Sequence, residues 1–445
     1  IMCFLGVFLV ESIDVLMRFF PLDNLEAVVF TLTHNVGGSN EVLRILLEPC
    51  LKTSVGRTCL FFLLSVFFST IYSFLLIKPK KKNLYNLLKK SIRPIIICNI
   101  LFCLLVWALA IYKIPVMSYI KFYGSLLNEK PVYNSLYEKE YVYLDSVDIT
   151  FEKKRNLIFI MLESIESNFQ DEKNGGNLEN NFIPEITALT KKNVSFIPGG
   201  ITVEGTGWTM GETVAKSCGI PLQEPIKKNE YGIRNYLRNV VCLTDVLYKN
   251  GYEIKLVQGS NALFASMNYF SVSHGIAEEN ILDLRYFKKK GVPISDTSFF
   301  ESVKDADLYS EARNIASELG GQGKPWMLWI YTIDTHAAYG RIDSTCVKLP
   351  PSIERKKQYP FVLQCASKLV NNFIEWGKDQ DWFKNTTIAV MGDHPAMIAP
   401  EVAGFPQVPT EHYWLDFFVN SQIDSIPNKK RLFTSFDMYP TILEA

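Results

Sequence analysis

One hydroxyl and three acid or imidazole side chains stand out in this sequence for the chemistry they could do together. Glu163 ends the apolar run 157–162 (LIFIML), Asp393 and His394 follow the run 387–391 (TIAVM) after Gly392, and Thr209 ends the turn 205–209 (GTGWT). Two carboxylates and an imidazole make a hard-to-borderline ligand set suited to Zn2+ or Mn2+, and Thr209 would complete a four-ligand shell. A metal-bound threonine hydroxyl has a lowered pKa and serves as a nucleophile without an adjacent general base. The GTGWT turn suits that task. Two glycines let backbone approach a tetrahedral group, and a helix starting near Met210 offers free N–H donors to an anion such as phosphate. Taken singly, each feature has a plainer reading. Glu163 could cap a helix, an Asp-His pair is often a turn, and a Gly-Thr turn often does nothing but cap; their joint occurrence is what points to a metal site.

The elements that must position these residues follow from the texture after Asn156, where short apolar runs alternate with amphipathic stretches. That pattern predicts a mostly parallel sheet sandwiched by helices. Buried strands are expected at 157–162, 254–257 (IKLV), 327–332 (MLWIYT) and 387–391, with helices at 243–250 and 361–378. Ligands bind beyond the carboxyl ends of strands in such sheets, so Glu163, the Asp334 and His336 that follow 327–332, and Asp393 with His394 should converge. Glu166, one helical turn beyond Glu163, reads as a solvated or capping residue, and His274 and His412 read as structural. Trp208, Asp334 and Arg341 are candidate substrate contacts.

Other chemistries find no support. There is no GxSxG elbow around Ser164 or Ser260, no phosphate-binding GxxxxGK[ST] loop, no HExxH and no GxGxxG. Lys and Arg together number 46, as do Asp and Glu, so a formal net charge of zero gives no basic surface for nucleic acid. The charge is unevenly placed. Runs 59–77 and 94–112 are uncharged and about as long as the ~20 residues a membrane span needs. The loop between them carries Lys78, Lys80, Lys81, Lys82, Lys89, Lys90 and Arg93 without an acid, which puts it in the cytoplasm and everything after Tyr112 outside. A further span is expected at about 1–20 despite Glu11, Asp14 and Arg18. The expected division is a transmembrane region over 1–113, a juxtamembrane linker over 114–155 and one extracytoplasmic catalytic domain over 156–445. The chain opens at Ile1 without an initiating Met or a signal-peptide pattern, which reads as a missing beginning.

Nine cysteines occur, of which Cys218, Cys242, Cys346 and Cys365 follow the membrane part. In an oxidising compartment the sequence-local pairing, Cys218 with Cys242 and Cys346 with Cys365, is one of three connectivities, and spacing alone does not choose among them. No CxxC appears, which argues against a thiolate zinc site.

In order along the chain, FIMLESIES with Glu163, GTGWTMGETVAKSCGIPL with Thr209, TDVLYKNGYEIKLVQGS, TIDTH with His336, GDH with Asp393 and His394, and FDMYPTIL resemble the membrane phosphoglycerol transferases of the alkaline-phosphatase and sulfatase superfamily, whose relatives include lipoteichoic acid synthases. The resemblance implies an alkaline-phosphatase-like fold, one divalent ion (Mn2+ or Zn2+) on Glu163, Thr209, Asp393 and His394, and Thr209 as nucleophile. His336 would contact the headgroup or protonate the leaving group. The implied reaction moves phosphoglycerol from phosphatidylglycerol to a periplasmic or cell-surface glycan through a covalent threonine intermediate, releasing diacylglycerol, in a multi-pass protein of the bacterial inner membrane. A phosphoethanolamine transferase or phosphodiesterase on the same fold is the alternative, and a non-catalytic membrane-anchored binding module a more distant one. Oligomeric state is left open. The sequence departs from lipoteichoic acid synthases at 264–266, where they carry Trp-x-Arg, and at Ala338, where they carry proline. It also stops at Ala445, soon after PTIL, where relatives usually continue, so the domain reads as truncated there.

Overall fold

The computed structural model describes residues 149–196, 199–203, 205–222, 236–296, 301–336, 339–343, 345–347, 352–354, 357–396, 413–423 and 433–445, with Leu104, Ala108 and Val142. Among them no helix is long and apolar enough to cross a membrane. The spans expected at 1–20, 59–77 and, apart from Leu104 and Ala108, 94–112, and most of the linker, lie outside the described residues. From 149 onward the described chain falls in one compact unit.

Eleven strands occur among the described residues. They are β1 (Asn156–Leu162), β2 (Val194–Ser195), β3 (Gly200–Ile201), β4 (Glu253–Gln258), β5 (Ile281–Leu282), β6 (Ser295–Asp296), β7 (Glu301–Ser302), β8 (Trp326–Tyr331), β9 (Thr386–Gly392), β10 (Tyr413–Trp414) and β11 (Asp416–Val419). Seven form the main sheet in the order β2-β11-β9-β1-β8-β4-β5. The five from β9 to β5 are parallel; at one edge β11 runs antiparallel to β9, and β2 pairs antiparallel with β11. The four expected strands are the four central ones.

A strand buried on both faces must be apolar throughout, and every residue of β1, β8 and β9 is buried. Alternate residues of β1 serve opposite layers. Ile158, Ile160 and Leu162 join one core and Leu157, Phe159 and Met161 the other. The first core is covered by α1 (Pro184–Lys192), whereas α2 (Thr209–Cys218), α3 (Leu243–Lys249) and α4 (Met267–Ser273) cover the second. Next come α5 (Leu284–Lys290), α6 (Asp305–Gly320) and α7 (Tyr359–Lys378) on the first core, and α8 (Met438–Glu444) closes the second. The result is a three-layer α/β/α sandwich, as expected. Each large side chain buried this way stabilises the fold by about 1.5–3 kcal/mol before the entropy of ordering it is subtracted. Phe159 on β1 stacks on Trp329 of β8 with centroids 5.4 Å apart, fixing the spacing of two strands that lead into the site.

Among the described residues two disulfides lock covering segments. Cys218–Cys242 joins the last residue of α2 to the residue before α3, and Cys346–Cys365 ties the loop after β8 to α7.

Candidate metal centre and nucleophile helix

Strand register builds the centre. Leu162 of β1 pairs with Gly392 of β9, so the next residues on the two parallel strands, Glu163 and Asp393, leave the sheet side by side. Ligand atoms of Glu163, Asp393 and His394 all lie within 4.8 Å of one another. All three residues are buried, and His394 Nε2 is 3.5 Å from both Glu163 Oε1 and Asp393 Oδ2. Nδ1 of the same ring lies 2.9 Å from the Pro395 carbonyl oxygen, to which it donates, so Nε2 is the nitrogen turned to the carboxylates. Fixing one ring nitrogen so that the other is presented is the usual support of a metal-binding histidine.

Neighbours hold the carboxylates in place. The Ser164 N–H and the His394 N–H each donate to Asp393 Oδ1 at 2.7 Å, leaving Oδ2 toward the imidazole. Ser164 Oγ donates to Glu163 Oε1 at 2.6 Å. To serve both acids at once, Ser164 adopts φ 53°, in the left-handed region that non-glycine residues seldom enter. Just after β8, the Thr332 hydroxyl accepts the Glu163 N–H at 2.9 Å. Glu166 is not solvated, as its position in sequence suggested. It is buried, and its Oε1 accepts the Ala396 N–H at 2.6 Å, bracing the loop beyond His394.

Gly392 has no room for a side chain. A Cβ there would meet the Ile165 carbonyl oxygen at 2.1 Å and Trp414 Cβ at 3.2 Å. Gly392→Ala is therefore expected to lower stability by about 1–3 kcal/mol and to weaken metal binding, because relief of the overlap shifts Asp393. Thermal unfolding and metal titration check this against Gly321→Ala, whose new Cβ meets nothing closer than 3.6 Å. Equal behaviour of the two variants would contradict it.

The charges fit a cation. Burial, then Glu163 beside it, pushes the Asp393 carboxyl up to about 7, against the pull of His394 and two backbone N–H groups. Burial alone would lower the His394 imidazole, yet Asp393 and Glu163 outweigh it and leave the ring raised. The cluster thus retains protons to offset crowded negative charge, which is the role a divalent ion takes over when it binds. The donor set and its burial fit Zn2+ or Mn2+.

Thr209 opens α2, half-buried, with Trp208 in extended conformation before it. Gly205 at φ 85° and the Thr206 hydroxyl, which accepts the Val203 N–H, shape the turn that delivers it. Thr209, Glu212, Thr213 and Lys216 recur at helical spacing on one face. Thr213 Oγ1 is 3.0 Å from the Tyr331 hydroxyl at the end of β8, and Lys216 Nζ donates to the Gly392 carbonyl oxygen at 2.5 Å. That face is therefore turned to the carboxyl ends of β8 and β9, with Thr209 one turn before Thr213.

Lys216 itself is wholly buried, 3.2 Å from Asp416 Oδ1 and 4.9 Å from the centre of the Trp414 ring. Glu212, also fully buried, has its carboxyl pushed up to about 8 by burial, only partly countered by Lys216. Sequence reasoning missed this pair because a Lys and a Glu one turn apart on a helix ordinarily read as a solvated face.

The outlet after β8 behaves differently. His336 is half-buried in its loop. Asp334 and Arg341, expected as substrate contacts, face each other instead. Arg341 Nε donates to Asp334 Oδ1 at 2.7 Å, and its two terminal nitrogens donate to that same oxygen, to both oxygens of Ser295, and to the Ser302 and Val303 carbonyls. Every N–H of the guanidinium has a protein acceptor, so Arg341 positions the segment around β6 and β7. Asp305 completes the clamp by accepting the Ile333 and Asp334 N–H groups. Trp208 is buried against Gly211, where a Cβ would meet the indole nitrogen at 2.9 Å and the Gly205 carbonyl oxygen at 2.3 Å. His274 is buried and paired with Asp245, and His412 lies outside the described residues.

The family model described as Sulfatase matches residues 155–445, well over half of the chain. The chain belongs to the sulfatase family. Curated relatives of this sulfatase-family chain include phosphoglycerol transferase I of Escherichia fergusonii, 32% identical over 253 residues, which is 55% of this chain and 31% of that protein. Phosphoglycerol transferase I of Salmonella choleraesuis is 31% identical over 248 residues, again 55% of this chain and 31% of the relative. The chain thus spans under a third of the length of the curated relatives it matches.

Solved structures share the fold. A protein in the alkaline phosphatase superfamily from Vibrio parahaemolyticus aligns with TM-score 0.53 and 20% identity over 66% of this chain and 67% of its own. The lipoteichoic acid synthase LtaP of Listeria monocytogenes aligns with TM-score 0.52 and 17% identity over 68% and 76%. The integral membrane protein lipooligosaccharide phosphoethanolamine transferase A of Neisseria meningitidis covers 99% of this chain and 83% of its own at TM-score 0.52 and 11% identity. Within the sulfatase family, some members make formylglycine from a Cys or Ser followed by x-Pro-x-Arg. The Cys218-Gly219-Ile220-Pro221 stretch lacks that pattern, and Cys218 is held in a disulfide.

Proposed function

We propose that this protein transfers phosphoglycerol from phosphatidylglycerol to a glycan hydroxyl in two steps, at the outer face of a bacterial cytoplasmic membrane. The observation that carries the reading is the buried Glu163, Asp393 and His394 cluster at the carboxyl ends of β1 and β9, with Thr209 at the start of a helix whose face meets that same edge. Relatives named phosphoglycerol transferase I support glycerol as the headgroup.

A bound Mn2+ or Zn2+, held by Glu163, Asp393 and His394 with Thr209 as fourth ligand, would lower the hydroxyl pKa and draw negative charge from the phosphoryl oxygens. In the first step Thr209 Oγ gives up its proton to solvent and bonds to phosphorus, the bond to the diacylglycerol oxygen breaks, and that oxygen leaves with a proton. His336, from the loop after β8, is the proposed donor of that proton. In the second step an acceptor hydroxyl bonds to phosphorus, its proton passes to His336, the bond from phosphorus to Thr209 Oγ breaks, and Thr209 regains a proton from solvent. N–H groups at the start of α2 orient the phosphoryl oxygens. The three expected spans at 1–113 confine the enzyme to the bilayer that holds its donor, and tethering raises the effective headgroup concentration at the site.

Peptide mass spectrometry of the full-length protein in phosphatidylglycerol vesicles with Mn2+ or Zn2+ tests the reading. A glycerophosphate adduct on Thr209 is expected. An adduct that forms only when phosphatidylethanolamine is supplied would reassign the headgroup, and diacylglycerol release with no adduct at any residue would replace two-step transfer by direct hydrolysis.

A further inference from the structure

A second group of metal-ligating side chains lies away from the centre described above, where α2, α3 and α4 meet. Cys218 ends α2, Cys242 precedes α3 and His274 follows α4, and all three are buried. The two sulfurs are bonded at 2.04 Å. Asp245 Oδ2 accepts the Cys242 N–H at 2.8 Å and lies 2.6 Å from His274 Nδ1, so Nδ1 is the donor in that pair. The other ring nitrogen, Nε2, faces Cys242 Sγ at 3.9 Å. Ligand atoms of Cys242, Asp245 and His274 lie within 4.8 Å of one another. A carboxylate that fixes one imidazole nitrogen while the other faces sulfur is the arrangement that supports a zinc-bound histidine.

We propose that reduction of the Cys218–Cys242 disulfide opens a second metal site, in which Cys218, Cys242 and His274 bind a zinc-class divalent cation and Asp245 orients the imidazole. A dithiol reductant supplies two electrons and two protons to the S–S bond and becomes a disulfide itself. The incoming cation then displaces both thiol protons. Metal–sulfur bonds of about 2.3 Å and metal–nitrogen bonds of about 2.0 Å at tetrahedral angles require sulfur and nitrogen about 3.5 Å apart and the two sulfurs about 3.8 Å apart. His274 Nε2 already stands near that distance from Cys242, so the main adjustment is separation of the sulfurs once their bond is broken. The Asp245 side chain, 30% exposed, marks the route by which a cation reaches the group. Three protein ligands leave a fourth position open. Thr209 opens α2 and Cys218 ends it, so the far end of the nucleophile helix is fastened by a covalent bond in one redox state and by an ion in the other. Thiolate ligands make this site chemically distinct from the Glu163, Asp393 and His394 cluster, which has none.

Cobalt(II) is the probe, because thiolate-to-cobalt charge transfer gives an absorption band that the carboxylate and imidazole cluster cannot produce. In detergent-solubilised full-length protein, the oxidised form is expected to show no such band. Phosphine reduction should bring the band together with one further equivalent of bound Co2+, both removed by added Zn2+. Cys218→Ser should abolish the band, and His274→Ala should weaken cobalt affinity at least tenfold. Should the reduced protein unfold, it is refolded with and without Co2+, and return of the band together with native near-ultraviolet circular dichroism supports the site. Freed thiols confirmed by titration with no band in either arm, or a band that survives Cys218→Ser, overturns it.

Discussion

Thr209→Ala is expected to cut the proposed transfer of phosphoglycerol by about 10^4-fold or more, because loss of the proposed covalent nucleophile removes the reaction path and not merely a contact. Diacylglycerol release from phosphatidylglycerol vesicles and glycerophosphate incorporation into glycan should fall together. Metal affinity should weaken far less, since Glu163, Asp393 and His394 remain. Thr209→Ser keeps a hydroxyl at the start of α2 and should retain measurable turnover. A Thr209→Ala protein working at a tenth of the parent rate would show that another oxygen attacks phosphorus. Glu163→Gln separates the roles, for it should lower metal affinity and rate together, with the rate partly recovered at high metal concentration.

The second large effect is on stability. In the metal-free protein, burial pushes the Glu212 carboxyl up to about 8, Asp393 up to about 7 and Asp416 up to about 6. Unfolded, such groups titrate near 4. The folded state therefore binds more protons between these values, and stability must fall as pH rises. The contribution is complete below about pH 4 and is lost as pH climbs through about 6 to about 8. Chelator-treated protein should thus melt several degrees lower at about pH 8 than at about pH 6. Glu212→Gln, which imitates the protonated acid, should flatten that slope and melt above the parent at the higher pH. Added Mn2+ or Zn2+ should raise the melting temperature most at the higher pH, where fewer protons must leave Asp393 and His394. A metal-free parent with no slope, or a Glu212→Gln protein with the parent's slope, would refute the account.

The central sheet was legible because its parallel strands must be apolar throughout, as in LIFIML and MLWIYT. The antiparallel edge was not. The four residues of β11 begin with an aspartate, and β2 is two residues long, so neither carries a period of its own. Helix α6 escaped because its acidic first turn and scattered alanines dilute the apolar stripe. Glu163, Asp393 and His394 were legible from position alone, since each directly follows a strand in a sheet whose register then sets them side by side. Arg341 misled for the opposite reason. A basic residue near a site suggests a ligand, and only coordinates reveal that Asp334, Ser295, Ser302 and Val303 already take its donors. The Cys242, Asp245 and His274 group was invisible because His274 follows α4, about 30 residues after the Cys242 and Asp245 at the start of α3, with no motif spacing between them.

Lys216 has a consequence for biogenesis. It binds α2 to Gly392 and Asp416, segments that leave the ribosome more than 170 residues after it. Glu163 likewise meets its partners Asp393 and His394 only once β9 has been made. Until β9 and β11 have been made, α2 lacks the partners of Lys216, and Glu163 stands without Asp393 and His394. On the proposed function, the emerging polypeptide is consequently inert toward its donor lipid, and any truncation upstream of β9 yields a protein without the assembled centre.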